Sequence, residues 1–494
     1  MPINFIPNDP RASAPAMREQ AKRADRPSSK SGFTFSGSKP EGKYNPGTPQ
    51  FLFWQCREAA LAAMEAWEAS AGVHTKWQGN RKKLPLRQDA GDDLNAFYDR
   101  ASFSFFHKNV SGTTFLSGQS TDVVAHEIGH GLLDSVRQDF FDVNFLEVGA
   151  FHEAFGDCMA MLTALNDKET RQKLLAAAPN LRKRNFVEST AEDLSAGIKM
   201  LIPGHNAAEP RHAFNTFQFQ LPQTLPDNGG PGELIDEVHS FGMIFTGCLW
   251  DLIANIFGAA ASKTEAALQT AARTAGEILI AGSKVAVVTP RFLQSVGRAM
   301  LLADQSQHAN ANRPHILDAF QRHGIQLGTG AMMTPSMALE GAAPKAAAIG
   351  GATRKDLLRR LGSRRGGKLG VAGVNVFGTR MVSAVHKRDV SLADVGLKGV
   401  VAVAHESVMV GTSGGKAALV GNLPHPADTE SEVLAFVKSL LAHGRIDLGG
   451  KATGKKGLVA APAVKNQVGL PTHTIKTLGG KKTLVRIRFQ CGCV

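Results

Sequence analysis

From Phe51 to Gly72 the chain reads FLFWQCREAALAAMEAWEASAG. Apolar residues fall three and four apart and a glycine closes the run, which predicts an amphipathic helix ending at Gly72. Partial alternation follows in LNAFYDRASFSFFHKN (94–109) and predicts short strands, with a turn at Ser111-Gly112. Helical spacing returns over 120–135 and 148–166, and again over 237–258, 265–282 and 289–306. The last of these has Thr289 as its expected N-cap and Pro290 just inside. Residues 167–230 are mixed and are broken at Pro203-Gly204 and Asn228-Gly229-Gly230.

Outside this block the texture differs. Residues 1–50 are rich in Ser, Pro, Gly, Lys and Arg, which predicts a disordered or loosely packed leader. Residues 328–367 are small-residue-rich and basic at their end, which predicts a linker. Val-rich runs beyond 368 (LGVAGVNVFG, KGVVAVAHESVMVG, KTLVRIRFQ), with one helical stretch at 431–444, predict a small α+β or β-rich accessory module over 368–494. The principal domain is therefore expected at 51–327.

Charge sharpens this division. From Gly351 onward there are 23 Lys and Arg against 8 Asp and Glu, whereas the first 350 residues hold 33 against 35. The second part is thus a candidate for an anionic partner. No run of 18 apolar residues suggests a transmembrane segment. The N-terminus lacks the apolar stretch of a Sec signal peptide, so a cytoplasmic place or a non-classical export route is expected. The five cysteines imply no disulfide framework. Cys56, Cys158 and Cys248 fall in apolar helical stretches and read as buried thiols. Cys491-Gly-Cys493 is a weak metal or redox signal.

The candidate chemistry starts at VVAHEIGHGLLD (123–134). On a helix His126 and His130 share a face and can present two imidazoles to one zinc ion. Glu127, one step around, can reach a metal-bound water without binding the metal. Composition alone gives such a pattern about 0.02 times per chain. A catalytic zinc needs a third ligand and an open position. The next helix offers Glu153 as that ligand, and Asp157, four residues on, can accept the outer N–H of a zinc histidine. Both carboxylates lie on a helix that is apolar nearly all round, where they need partners. His152 is expected to point to another face.

NAFY (95–98), FLSGQSTDVVAHEIGHGLLD (115–134) and GAFHEAFGD (149–157) resemble, in order and character, the thermolysin-type gluzincins. EVHSFGMIFTGCLWDL (237–252) is similar to the fungalysin branch. The resemblance implies an α+β fold of two lobes, with a short N-lobe sheet, a mainly helical C-lobe and zinc in the cleft between. It implies a zinc endopeptidase acting on protein or peptide. His126, His130 and Glu153 would be metal ligands, Glu127 the general base and Asp157 the carboxylate holding His126. His239 would donate to the oxyanion, with Asp236 or Glu237 orienting its ring. Asn95 and Ala96 would bind the substrate backbone along an edge strand, and Arg211 a substrate carbonyl. The family's oxyanion tyrosine is missing, for the matching region reads DFFDVNF with Phe140 and Phe141. Asp122 stands at a Ca²⁺-ligand position, which makes Ca²⁺ a candidate cofactor, but no further acid follows Glu153 where one belongs, which speaks against a double calcium site. The alternative is an inactive gluzincin scaffold whose basic module binds a polyanion.

Overall fold

The computed structural model describes residues 1–328, 369–376, 379–413, 416–420, 426–449 and 470–491, with isolated positions between 351 and 359. Nearly all of the expected linker, and Cys493, lie outside the described residues. The described chain mixes helices with several sheets, an α+β fold.

The expectation of a loose leader fails. Strands β1 (Pro2–Phe5) and β2 (Arg18–Ala21) pair antiparallel, and β3 (Gly32–Phe35) enters a five-stranded sheet. The leader has few large apolar residues, but Ile3, Phe5 and Phe33 are all buried. Its arginines reach carboxylates of helix α1 (Pro49–Ala71), as in Arg26 Nη2 to Glu68 Oε1 at 2.6 Å. Apolar residues on all sides of α1 are therefore covered, one side by the leader and the others by helices. Thr48 caps α1, accepting from the N–H of Phe51.

Strands β4 (Lys83–Arg87), β5 (Ala96–Tyr98) and β6 (Phe103–Phe105) continue that sheet. β7 (His107–Val110) and β8 (Thr113–Leu116) form a hairpin about Ser111 and Gly112, both with positive φ, 50° and 85°. This is the backbone twist that two-residue hairpin turns favour. Ser120 then caps α2 (Thr121–Val136), which is buried from Thr121 to Asp134. Helix α3 (Leu146–Asn166) is buried from Leu146 to Leu165. α2 and α3 approach through glycines: a Cβ on Gly129 would lie 3.1 Å from the Cα of Gly156.

Helix α4 (Lys168–Ala177), strand β9 (Ser189–Thr190), helix α5 (Glu192–Leu201) and strand β10 (Arg211–His212) fill the mixed region, with β9 and β10 paired. α6 (Val238–Ala259) is, among the described residues, the one helix long and apolar enough to cross a bilayer; it is largely buried within the protein. α7 (Glu265–Val285), α8 (Phe292–His308) and α9 (Arg313–Arg322) complete the helical layer. α8 starts three residues after the expected Thr289 cap. Arg291 is non-helical, and Glu147 of α3 accepts from the N–H of Leu293 at 3.0 Å, so the cap comes from a tertiary neighbour.

The module beyond 368 is a second sheet with one helix. Strands β11 (Leu369–Val376), β12 (Thr379–Ser391) and β13 (Val400–Ser413) form an antiparallel meander, and β14 (Lys416–Val420) pairs with β13. Helix α10 (Pro426–Ala442), β15 (Ile446–Asp447), β16 (His473–Leu478) and β17 (Lys481–Arg486) follow. The module docks on the helical layer. Asn144 donates to the carbonyl of Val403 at 3.1 Å, Ser439 to that of Asp236 at 2.8 Å, and Arg291 pairs with both Glu147 and Glu432. Its last strand, β18 (Phe489–Gln490), leaves the module and joins the first sheet, giving the order β18-β5-β6-β4-β3.

Candidate active site

The i, i+4 spacing on α2 and on α3 brings four side chains to one point. His126 Nε2 lies 3.2 Å and His130 Nε2 3.4 Å from the same oxygen, Glu153 Oε2. His126 Nδ1 meets Asp157 Oδ1 at 2.8 Å. An ionised carboxylate only accepts, so Nδ1 carries a hydrogen, and Nε2 is the nitrogen that would give up its proton and turn a lone pair to a metal ion. Asp157 is gripped by Arg211 through two bonds, Nε to Oδ2 at 2.9 Å and Nη2 to Oδ1 at 2.7 Å. Burial works against the charge of Asp157, but Arg211 and His126 hold its carboxyl well below the usual range. Burial likewise opposes charge on His126, and the bonds to Asp157 and Glu153 outweigh it, lifting the ring to about 9. For His130 burial prevails and lowers the ring to about 4.

This cluster suits a metal. A tetrahedral zinc with bonds of about 2.0–2.1 Å sets its ligand atoms about 3.3–3.4 Å apart. The 3.2 and 3.4 Å separations match such an edge. Beside them Glu127 is fully buried, yet neither of its oxygens has a hydrogen-bond partner, and the same holds for His130 Nε2. Burial raises the Glu127 carboxyl to about 8, a value suited to exchanging protons near neutrality. A buried carboxylate with nothing to bind is costly unless the site is completed by a group outside the protein.

His239 stands in the first turn of α6. Glu237 caps this helix, accepting from the N–H groups of His239 and Ser240, and its other oxygen meets His239 Nδ1 at 2.8 Å. Glu237, not Asp236, is thus the residue that orients the ring. Burial opposes its charge, but His239 holds its carboxyl down at about 2. His239 Nε2 lies 3.0 Å from Glu153 Oε2 and 2.7 Å from the carbonyl of Gln490. Both nitrogens face acceptors, so the ring donates from both.

Other expected residues fall differently. Ala96 is on β5 and Asn95 precedes it, but this strand is not a free edge, because β18 pairs with it. Arg211 is committed to Asp157 and also contacts Cys491 Sγ at 3.5 Å. Phe140 and Phe141 are buried and bring no hydroxyl; the Phe141 ring lies 5.3 Å from that of Phe489.

Three features escaped sequence reasoning. His152 does not point away, for its Nδ1 meets His130 Nδ1 at 2.9 Å and it is fully buried. His130 and His152 are 22 positions apart, and no spacing rule links them. Asp122 gathers Asp9 from the leader and Glu192 from α5, with ligand oxygens all within 4.8 Å of one another. Asp9 Oδ2 and Glu192 Oε2 have no hydrogen-bond partner. The acids that α3 lacks are thus supplied from other segments. Finally, Phe489, Gln490 and Cys491 enter the site from the distant module.

Residues 110–331 match the model of the fungalysin metallopeptidase family. The match takes in α2, α3, β10 and α6, with every candidate ligand and the candidate base, but neither Asn95, Ala96 nor the module. No curated protein matches the chain.

Proposed function

We propose, on the premise that residues 110–331 carry a thermolysin-like zinc metallopeptidase domain, that the chain is an endopeptidase with Glu127 as general base. The observation that carries this reading is the fully buried, unpartnered Glu127 carboxylate beside His126, His130 and Glu153, whose ligand atoms all lie within 4.8 Å of one another. On this reading the five-stranded sheet and the helical layer form the two lobes of a thermolysin-like arrangement, with the site between them.

His126, His130 and Glu153 would hold the zinc, which when bound polarises the scissile carbonyl and acidifies water. Asp157, backed by Arg211, fixes the tautomer of His126, and His152 does the same for His130. Glu127 accepts a proton and passes it to the leaving amine. His239 donates from Nε2 to the carbonyl oxygen as negative charge grows there. One such donor is typically worth about 10²–10³ in rate. Asn95 and the backbone of Ala96 bind an extended substrate by strand addition. We also propose that Asp9, Asp122 and Glu192 bind Ca²⁺, since hard carboxylate oxygens suit that ion.

The experiment compares wild type and Glu127→Gln, each loaded to one zinc per chain, on an unfolded protein substrate over hours. The variant should retain its zinc and lose cleavage by at least about 10²-fold. If wild type cleaves and the variant cleaves at the same rate, the assignment is refuted.

A further inference from the structure

The residues just described as catalytic are sealed. His126, Glu127 and His130 are 0% exposed, Glu153 is 2% exposed and His239 4%. A peptide cannot reach them in this state, and what closes the site is the chain itself. β18 adds antiparallel to β5, with Phe489 opposite Tyr98 and Gln490 opposite Phe97. The N–H of Cys491 donates to the carbonyl of Ala96 at 2.9 Å, and Asn95 Nδ2 donates to Gln490 Oε1 at 3.2 Å. Both contacts use residues proposed to bind substrate. The Gln490 carbonyl takes the hydrogen bond from His239 Nε2. This puts the Gln490–Cys491 peptide group where a substrate's reacting carbonyl would stand.

The side chains complete the block. The Phe489 ring stacks on His152 at 3.8 Å and on His130 at 5.0 Å. The thiol of Cys491 is buried, with its Sγ, a ring nitrogen of His126 and an oxygen of Glu127 all within 4.8 Å of one another. The unpartnered carboxylate of Glu127 faces the same space. Thiolate sulfur is a strong zinc donor, and a catalytic site keeps one position open for such a group. Arg486, at the end of β17, packs over Phe489 at 4.1 Å and anchors the segment to the module.

We propose that Phe489–Cys491 is a resident occupant of the peptide cleft that keeps the metallopeptidase latent, with the Cys491 thiol as a further metal ligand. This rests on the zinc-peptidase reading of the same site and adds its regulation. Strand addition supplies backbone hydrogen bonds, the Phe489 stack supplies apolar contact, and the thiol takes the place of water. Cleavage of an external peptide then requires β18 to leave β5 first. Because the segment is held by the module docked on α3 and α8, whatever loosens that docking opens the site.

The test uses the full chain, wild type and Cys491→Ser, loaded with one Co²⁺ or one Zn²⁺. The cobalt protein reads ligation without catalysis: wild type should show the near-ultraviolet thiolate-to-cobalt charge-transfer band, and Cys491→Ser should lack it. Alkylation of Cys491 by iodoacetamide, followed by mass spectrometry, should be at least tenfold slower in the zinc protein than in the unfolded chain. Cys491→Ser, and separately Phe489→Ala, should cleave an external peptide at least tenfold faster than wild type. A missing cobalt band together with equal cleavage rates overturns the proposal. Scission of the Gln490–Cys491 bond on adding zinc also overturns it, since the segment would then be a substrate and not a block. If no variant cleaves but the cobalt band is present, Phe489–Cys491 stands as resident occupant and metal ligand, while the endopeptidase reading and the latency that rests on it fail.

Discussion

Gly156 is the position at which the metal site depends most directly on backbone packing. It lies on α3 between Glu153 and Asp157 and faces α2. A methyl group there would lie 2.6 Å from His126 Nδ1, 2.7 Å from Cε1 and 2.8 Å from Cγ. Ordinary contact begins near 3.4 Å, so about 0.8 Å of clearance is missing. The ring cannot give way freely, because Nδ1 is bonded to Asp157 at 2.8 Å and Nε2 must stay at the ligand point. Parting the helices would relieve the clash only by giving up close packing, since a Cβ on Gly129 would lie 3.1 Å from both the Gly156 Cα and the Met159 Cβ. Gly156→Ala should therefore cost about 1–3 kcal/mol of stability as overpacking. It should also weaken zinc binding about 10–100-fold, the loss typical when an outer partner of a metal histidine is disturbed. Chelator competition measures the second effect and thermal unfolding of the metal-free protein the first. Gly258→Ala is the control, for nothing lies within 4 Å of its added methyl. If Gly156→Ala bound zinc as tightly as wild type, the account of how α3 positions His126 would be wrong.

Two further outcomes follow from buried ionisable groups. Burial, helped by Arg26, lowers His74 from 6.5 to about 4, while Ser31 and Ser135 contact its two nitrogens. The unfolded chain takes up a proton below pH 6.5 and the folded one does not, so stability is lost as pH falls from 6.5 toward 4. The shift corresponds to about 3 kcal/mol. Denaturant titrations should show wild type losing that much more than His74→Gln between pH 7 and 4; equal losses would refute the assignment. Ca²⁺ at a hundred times its dissociation constant should stabilise wild type by about 2.7 kcal/mol. Asp9→Asn should remove most of that gain, and an unchanged melting temperature on adding Ca²⁺ to wild type would sink the calcium site.

The part of this protein legible in its sequence is the part governed by local periodicity. HEIGH must put His126 and His130 on one helical face, and Glu153 with Asp157 repeats the geometry on the next helix, whatever surrounds them. The apolar spacing likewise carried the existence of α1, α2, α3, α6 and α7. The misses share one cause: each depends on residues far apart in the chain. The leader looked loose because its few apolar residues gain their burial only from α1. The start of α8 was misread because its cap is Glu147, not Thr289. His152 joins the site and not another face because its partner nitrogen belongs to another helix, and the choice of Glu237 over Asp236 needs the turn of α6. The largest miss is β18, whose RFQC residues carry no pattern that tells an ordinary strand from an occupant of the cleft. A helix face is fixed within one or two turns of chain, but a groove chooses its occupant by shape and hydrogen-bonding complementarity. Only the folded chain, which brings Cys491 beside His126 across more than three hundred residues, decides that.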